Sequence, residues 1–482
     1  MTALRIGDEP LAPAAVVAAA RGGTIAVELT GAARERIARS RRVAEALVER
    51  QAVYGRTTGV GANRHVALDE TDLRAHSARL LRSHAGGVGD PLPDELVRAT
   101  LLIRLAQMSA GGGGHRPEIV DALAAILRDG PLPVLRDLGG IGTGDLTLLA
   151  QLGLALAGEG EWAPGEPPRL EIEAGDALPL LSSNAATHAS ASLAWADVSE
   201  LLDAGLGIAA LTFQALDGNR EAFARAVAAA RPLPGLLAVS DRLRALTADA
   251  PEPARLQDPF GLRCLPPVAG ALHDAAAALH DVLAVEINAA VENPLINGDR
   301  ALHHGGFHAA AIALGLDALR LALVPFASMS AARLAHLMEP GLSGLSPFLS
   351  VDAPGSSGIL IAEYLAADAL ARLRADAVPA VLGTVAISRG LEEHASFAWQ
   401  AAGQARHAVL HLRTILALEW VAAERALRMK DAPHDGALAP LRALATGFDP
   451  ELSDRPIGPD VALAGVGLPA LARAVRAVAE AA

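Results

Sequence analysis

FHAAAIALGLDALRLALVPFASMSAARLAHLM, residues 307 to 338, is apolar around most of a helix circumference and is broken by the charges of Asp317, Arg320 and Arg333. At 3.6 residues per turn such a run leaves no solvent face, so it belongs inside a helix bundle or at a subunit interface. Pro325 marks an expected kink. The segments 192–216, 268–290, 357–377 and 395–428 read the same way. Hydrophobic residues make up 51% of the chain and aromatic residues only 3%, so the core is built from Leu, Ala and Val, which suits close helix packing better than sheet. The expectation is an all-α fold with a central bundle of long helices over 192–430, an irregular, Gly-rich N-terminal region over 1–191 and a short helical segment over 431–482. So many buried faces also favour a homo-oligomer.

The formal net charge of −13 works against a nucleic-acid groove or an anionic membrane surface as partner, since both would repel the chain at long range. The single cysteine, Cys264, excludes an internal disulfide and suits a reducing compartment. The first residues lack a basic segment followed by a long apolar one, and charges are expected to break the later apolar runs short of a membrane span. These features predict a cytoplasmic protein acting on a small molecule, without a membrane or nucleic-acid partner.

GGIGTGDLTLLA, residues 139 to 150, places Gly139, Gly140, Gly142 and Gly144 around one hydroxyl, Thr143, with Asp145 behind it. No Lys follows the last glycine and the spacing is not that of a dinucleotide fingerprint, so phosphate binding is a weak reading. A tight turn before a helix, capped by Thr143 or Asp145, is the plain alternative. A chemical reading is also open. A Gly-X-Gly turn lets a backbone nitrogen reach a carbonyl two residues back, and dehydration of the central hydroxyl residue then leaves an electrophilic alkene.

Seven segments, GTGDL among them, bear on that choice. YGRTTGVG (54–61), RSHAGGVG (82–89), GTGDL (142–146) with LALAGEG (154–160), QDPFGLRC (257–264), ENPLI (292–296), GGFHA (305–309) and EEHAS (392–396) stand in the order and near the spacing of the signature segments of one family. The sequence resembles the histidine and aromatic amino acid ammonia-lyases, from about Tyr54 to Glu419. The resemblance implies an all-α homotetramer whose active sites draw segments from more than one subunit. It implies elimination of an amine and a β-proton from an amino acid, assisted in most members by a methylideneimidazolone that the protein makes from its own Ala-Ser-Gly. By position, Tyr54 looks like the catalytic tyrosine, His84 like the histidine facing the substrate ring, and Arg263 like the clamp on the substrate carboxylate. Glu392 looks like the acidic residue near the ring or amine, and Asn184, Gln257, Phe260 and Phe307 like further substrate contacts.

These residue types suit the chemistry. Only Tyr54 and Tyr364 exist in the chain, and Tyr54 sits in a Thr/Gly-rich stretch where a core tyrosine is not expected. A tyrosine with an ordinary pKa of about 10 needs nearby cations or donors to act as a base near neutrality, and Arg263 is the expected partner. A metal centre is not expected. His303, His304 and His308 lie around Gly305 and Gly306, and neither they nor the pairs His273–Asp274 and His280–Asp281 give a matched ligand spacing.

The departures from the family concentrate on the electrophile. Where Gly-Ala-Ser-Gly-Asp-Leu is expected, the chain has Gly142-Thr143-Gly144-Asp145-Leu146, with Thr for Ser and one residue fewer in the turn. Cyclisation there would give a methyl-substituted alkene, a poorer electrophile. The second tyrosine of the site is Phe260, the asparagine expected after Leu-Leu is Ser182 unless Asn184 replaces it, and Gly306 stands where Asn precedes Phe-His. The family's Ser-Arg-Gly-x-Ser-Gly stretch has become Ser109 to Gly114. The expectation is a carbon–nitrogen lyase for a histidine-like or aromatic amino acid or its N-methylated derivative, with Tyr54 as base and no external cofactor. The balance lies against a prosthetic group at Gly142-Thr143-Gly144, as in ergothionase-like members, because a trimethylated amine leaves without electrophilic help. A non-catalytic scaffold and an aminomutase are the alternatives.

Overall fold

The computed structural model describes residues 3–352 and 354–481. Helices carry almost all of the regular structure, and the described strands form three two-stranded ribbons. Leu4–Ile6 pairs in parallel with Val27–Leu29, while Val88–Pro91 with Arg136–Leu138 and Leu295–Asn297 with Arg300–Leu302 are antiparallel. Each is too short to form a core, so an all-α fold is what the chain adopts.

The chain divides into two units. The first takes in the chain up to Ala194 with Leu279–Asp317 and Pro379–Gly403; the second comprises Trp195–Ala278, Ala318–Val378 and the chain from Gln404 onward. In the first unit the helices start on local signals. Thr30 caps Gly31–Val48 by accepting from Ala33 N, Asp69 caps Glu70–His84 by accepting from Asp72 N at 2.7 Å, and Pro117 opens Pro117–Asp129. Ile119, Val120, Leu123, Ile126 and Leu127 form the buried stripe of the last of these. The helix Leu146–Leu156 packs on Glu70–His84 and on Ala177–Leu181. It therefore ties the Gly-rich turn at its N-terminus to the end of the helix that carries His84.

The long apolar segments are helices: Ala185–Ala215, Leu265–Glu286, Ala310–Met338, Ile361–Asp376 and Ala398–Met429. Ala310–Met338 starts three residues later than the pattern begins and runs through Pro325. The charges that break its sequence do not face solvent. Asp317 accepts from the backbone of Ala380 and Val381 at 3.1 Å each, and Arg320 donates to Val378 O. Arg333 forms a forked pair with Glu419, Nε to Oε1 at 2.6 Å and Nη2 to Oε2 at 2.8 Å, within the second unit. Ser330 and Thr212 donate to the same carboxylate, which leaves a buried charge pair fully hydrogen-bonded. Three helices, Leu265–Glu286, Ala310–Met338 and Gly458–Ala481, are by length and composition apolar enough to cross a membrane. The expectation that charges break every run short fails because these helices are rich in Ala and Leu and space their charges widely.

Candidate active site

In the first unit a cavity of about 770 Å³ is lined by Tyr54, His84, Thr143, Phe307 and Glu392, with Ser182, Asn293, His308, Glu393 and His394 among their neighbours. Five of the residues singled out in the sequence thus meet from five separate segments.

The Gly-rich turn forms one wall. Gly142 and Gly144 have φ of +78° and +101°, the left-handed region that glycine tolerates, and they flank Thr143. A Cβ on Gly142 would sit 2.1 Å from Ser396 Oγ and 2.6 Å from Ala398 N. The bareness of the stretch follows from that approach. Ser396 Oγ donates to Gly142 O at 2.6 Å, Phe397 N to Ile141 O at 2.9 Å, Gln400 Nε2 to Gly140 O and Trp399 Nε1 to Asp137 O. Ala309 N adds a second bond to Gly142 O at 3.3 Å. The turn is strapped against residues 396–400 on one side and residue 309 on the other.

Asp145 sits at the N-cap position of Leu146–Leu156, yet its side chain does not cap that helix. Its Oδ2 accepts from Thr187 N at 2.8 Å and its Oδ1 from Thr187 Oγ1 at 2.7 Å, so the carboxyl caps Ala185–Ala215. Burial raises its pKa to about 6 against the pull of those bonds. Asn184 is buried behind the turn and is not among the residues lining the cavity. Its Oδ1 accepts from Gly144 N at 2.9 Å and its Nδ2 donates to Phe307 O at 2.5 Å. Ser182 faces the cavity instead. Asn184 therefore holds the turn and Phe307 in place, where the sequence suggested a substrate contact.

The opposite wall carries the titratable groups. Tyr54 OH accepts from Gly61 N at 2.8 Å. Burial raises its pKa, the Gly61 donor opposes the rise, the Glu392 carboxylate adds to it and Arg64 lowers it. Among the described residues of this unit Arg64 is the cation that acts on Tyr54; Arg263, the expected partner, belongs to the second unit. His84 ends its helix, and its Nδ1 lies 2.9 Å from both Leu80 O and Ser83 Oγ; with the Nδ1 hydrogen directed at Leu80 O, Nε2 is left as an acceptor. His308 Nε2 lies 2.9 Å from His394 Nδ1, with the rings stacked at 5.1 Å. Ser388, Arg389 and Phe397 have φ of +53°, +59° and +54°, so the segment carrying Glu392 and His394 is bent through conformations that non-glycine residues rarely adopt.

Beneath the cavity lies a buried charge network. Arg104 Nη1 and His115 Nε2 meet Glu292 Oε1 at 2.9 and 3.0 Å. Burial pushes Glu292 up, but Arg104 and His115 outweigh it and hold its pKa at about 2. The next residue, Asn293, lines the cavity, donating from N to Ser182 Oγ and accepting from His304 N. His303, His304 and His308 diverge: His303 Nε2 accepts from Tyr54 N, His304 bridges Glu292 O and Gly306 N, and His308 meets His394. Among the described residues no three His, Cys, Asp or Glu side chains converge to hold a metal.

Gln257, Phe260 and Arg263 are not among the residues lining the Tyr54 cavity. They belong to the second unit, where Gln257 and Arg263 line another cavity of about 450 Å³ with Cys264. Phe260 is 63% exposed, and the Arg263 guanidinium lies over its ring at 4.5 Å. Arg263 Nε is buried without a hydrogen-bond partner among the described residues.

A family model described as aromatic amino acid lyase matches residues 11–446. The chain belongs to that family. Among aromatic amino acid lyase relatives, a histidine ammonia-lyase from Anaeromyxobacter sp. (strain K) is 36% identical over 462 residues, covering 89% of this chain and 91% of that protein. Among solved structures, the ergothioneine degrading enzyme ergothionase from Treponema denticola, in complex with desmethyl-ergothioneine sulfonic acid, superposes with a TM-score of 0.91 at 25% identity, covering 98% of this chain and 99% of that one. Tyrosine aminomutase from Streptomyces globisporus gives a TM-score of 0.91 at 26% identity, with 99% of each chain covered. Two features of the site escaped sequence reasoning. The His308–His394 pair lies inside segments recognised for Phe307 and Glu392, and the role of Ser396 depends on a contact 254 residues distant in sequence.

Proposed function

We propose that the chain is a carbon–nitrogen lyase that eliminates an amine from a histidine-like amino acid, with Tyr54 as base and a quaternary, N-methylated amine as leaving group. The relatives support a carbon–nitrogen lyase, and one observation carries the finer reading: Tyr54, His84, Thr143, Phe307 and Glu392 line one cavity. Glu392 and Glu393 offer negative charge to a cationic nitrogen, Tyr54 and Phe307 offer ring faces to it, and the free Nε2 of His84 offers an acceptor to an imidazole N–H. Arg263 would hold the substrate carboxylate from a neighbouring copy in a homotetramer. Its buried Nε, without a hydrogen-bond partner among the described residues, supports a ligand from outside its own chain.

The residues at the turn do not fit the family's prosthetic group. Thr143, which stands where the family has Ser, would put a methyl group on the carbon to be attacked. A quaternary nitrogen has no lone pair with which to attack an electrophile, so such a substrate has no use for the group. Departure as a neutral tertiary amine needs only removal of the β-proton and electrostatic support for the developing charge. The mass of the peptide spanning residues 139–149 tests this part. An unmodified mass is expected, and loss of two waters would overturn it.

A further inference from the structure

We propose that His308 and His394 together form the proton store of the cavity, taking up as one unit the proton that leaves the substrate's β-carbon through Tyr54. The proposal rests on the elimination reading above. In that step the β-carbon–hydrogen and α-carbon–nitrogen bonds break, the alkene forms, and the amine departs neutral with the electrons of its bond to carbon. The proton ends on the imidazole pair, and Tyr54 returns to its phenol form.

The geometry points to a single shared proton. Nε2 of His308 and Nδ1 of His394 are 2.9 Å apart, so one of them carries hydrogen and the other accepts it. A further proton turns this contact into a charge-assisted bond between an imidazolium and an imidazole, while a second one is opposed by the first charge 5.1 Å away between ring centroids. Burial and the neighbouring His394 both lower the pKa of His308, which favours its neutral imidazole before the substrate's proton arrives.

Tyr54 needs such an acceptor. Burial and Glu392 favour its neutral phenol, which can take a proton from carbon only as its own hydrogen leaves. The titratable groups lining the cavity with the pair are Tyr54, His84, Glu392 and Glu393, and Arg64 and His303 stand beside Tyr54. A carboxylate is in general a weaker base than an imidazole. His84 is the competing acceptor, but among the described residues its ring is hydrogen-bonded to Leu80 O and Ser83 Oγ and not to a second imidazole with which to share the charge.

Two readouts test the proposal, one of them independent of turnover. Deuterium exchange at the imidazole C2 positions, followed by peptide mass spectrometry across pH, reads the titration of each histidine. A common midpoint for His308 and His394 is expected, with that of His308 moving in His394→Asn, and independent midpoints overturn the pair even if no substrate is found. With substrate, His394→Asn and His308→Gln should each lower kcat at neutral pH by at least about tenfold with little change in KM, and part of the activity should return as pH rises. A loss equal at all pH values, or a pH shift produced by His84→Gln in place of these variants, overturns it. Absence of amine release by the wild-type enzyme is instead a failure of the elimination reading.

Discussion

Replacing Gly142 by alanine should damage this protein. The backbone at 142 has φ of +78°, where a non-glycine residue costs about 1–2 kcal/mol. The new Cβ lies 2.1 Å from Ser396 Oγ, a contact relieved by rotating the hydroxyl away at the cost of its bond to Gly142 O, about 1 kcal/mol. It also lies 2.6 Å from Ala398 N, which is backbone at the start of the 32-residue helix Ala398–Met429 and yields only if that helix shifts. Forcing a methyl group into such a space costs a further 1–3 kcal/mol or so, for a total of about 3–6 kcal/mol. Gly144→Ala is the control. Its Cβ has Leu146 Cδ2, the far end of a flexible side chain, at 3.3 Å as nearest neighbour, so a small shift of that side chain adds little to the conformational cost of about 1–2 kcal/mol. Urea unfolding midpoints of the two variants, with Gly142→Ala also combined with Ser396→Ala, give the comparison. Gly142→Ala should be the more damaging, and removing the Ser396 hydroxyl should recover part of the loss. If Gly142→Ala matches the wild type, or Gly144→Ala is worse, the strapped turn described above is wrong.

Two further predictions concern the polar interior beneath the site. Glu292→Gln leaves Arg104 as an uncompensated buried charge and should cost about 3–5 kcal/mol in urea unfolding, whereas exchanging both residues for apolar ones of similar size recovers much of it; a loss below about 1 kcal/mol contradicts the network. His188 is buried and its pKa is lowered to about 3 by burial, against 6.5 when unfolded, so the unfolded chain binds this proton first as pH falls. Stability should fall by about 1.4 kcal/mol per pH unit from this group below pH 6.5, and His188→Phe should flatten the slope between pH 6 and 4. An unchanged slope removes His188 from the acid sensitivity.

The long helices were legible because their residues are apolar in nearly every position, as in Ala310–Met338, although Leu314 and Leu321 on that helix are more than half exposed within the chain. The meeting of Tyr54, His84, Thr143, Phe307 and Glu392 was legible only through ordered signature segments, since nothing in local periodicity relates residue 54 to residue 392. What stayed hidden depends on direction and partners. Asn184 and Ser182 are two residues apart, and which of them faces the cavity is set by the bend between Ala177–Leu181 and Ala185–Ala215. The glycines at 139–144 were visible as a demand for space, but the segment making it, residues 396–399, is far away in the chain. Arg263 was named as the partner of Tyr54 on chemical grounds, whereas the chain itself supplies Arg64 at the end of a short 3-10 turn that carries no motif.

The most direct test of the account is amine release followed by proton NMR, with purified wild-type enzyme and its Tyr54→Phe variant offered histidine and its N,N,N-trimethyl betaine side by side. The account predicts trimethylamine and the unsaturated imidazole acid from the betaine, little ammonia from histidine, and loss of turnover in the folded variant. Ammonia from histidine with no reaction of the betaine, or undiminished turnover by Tyr54→Phe, would contradict it.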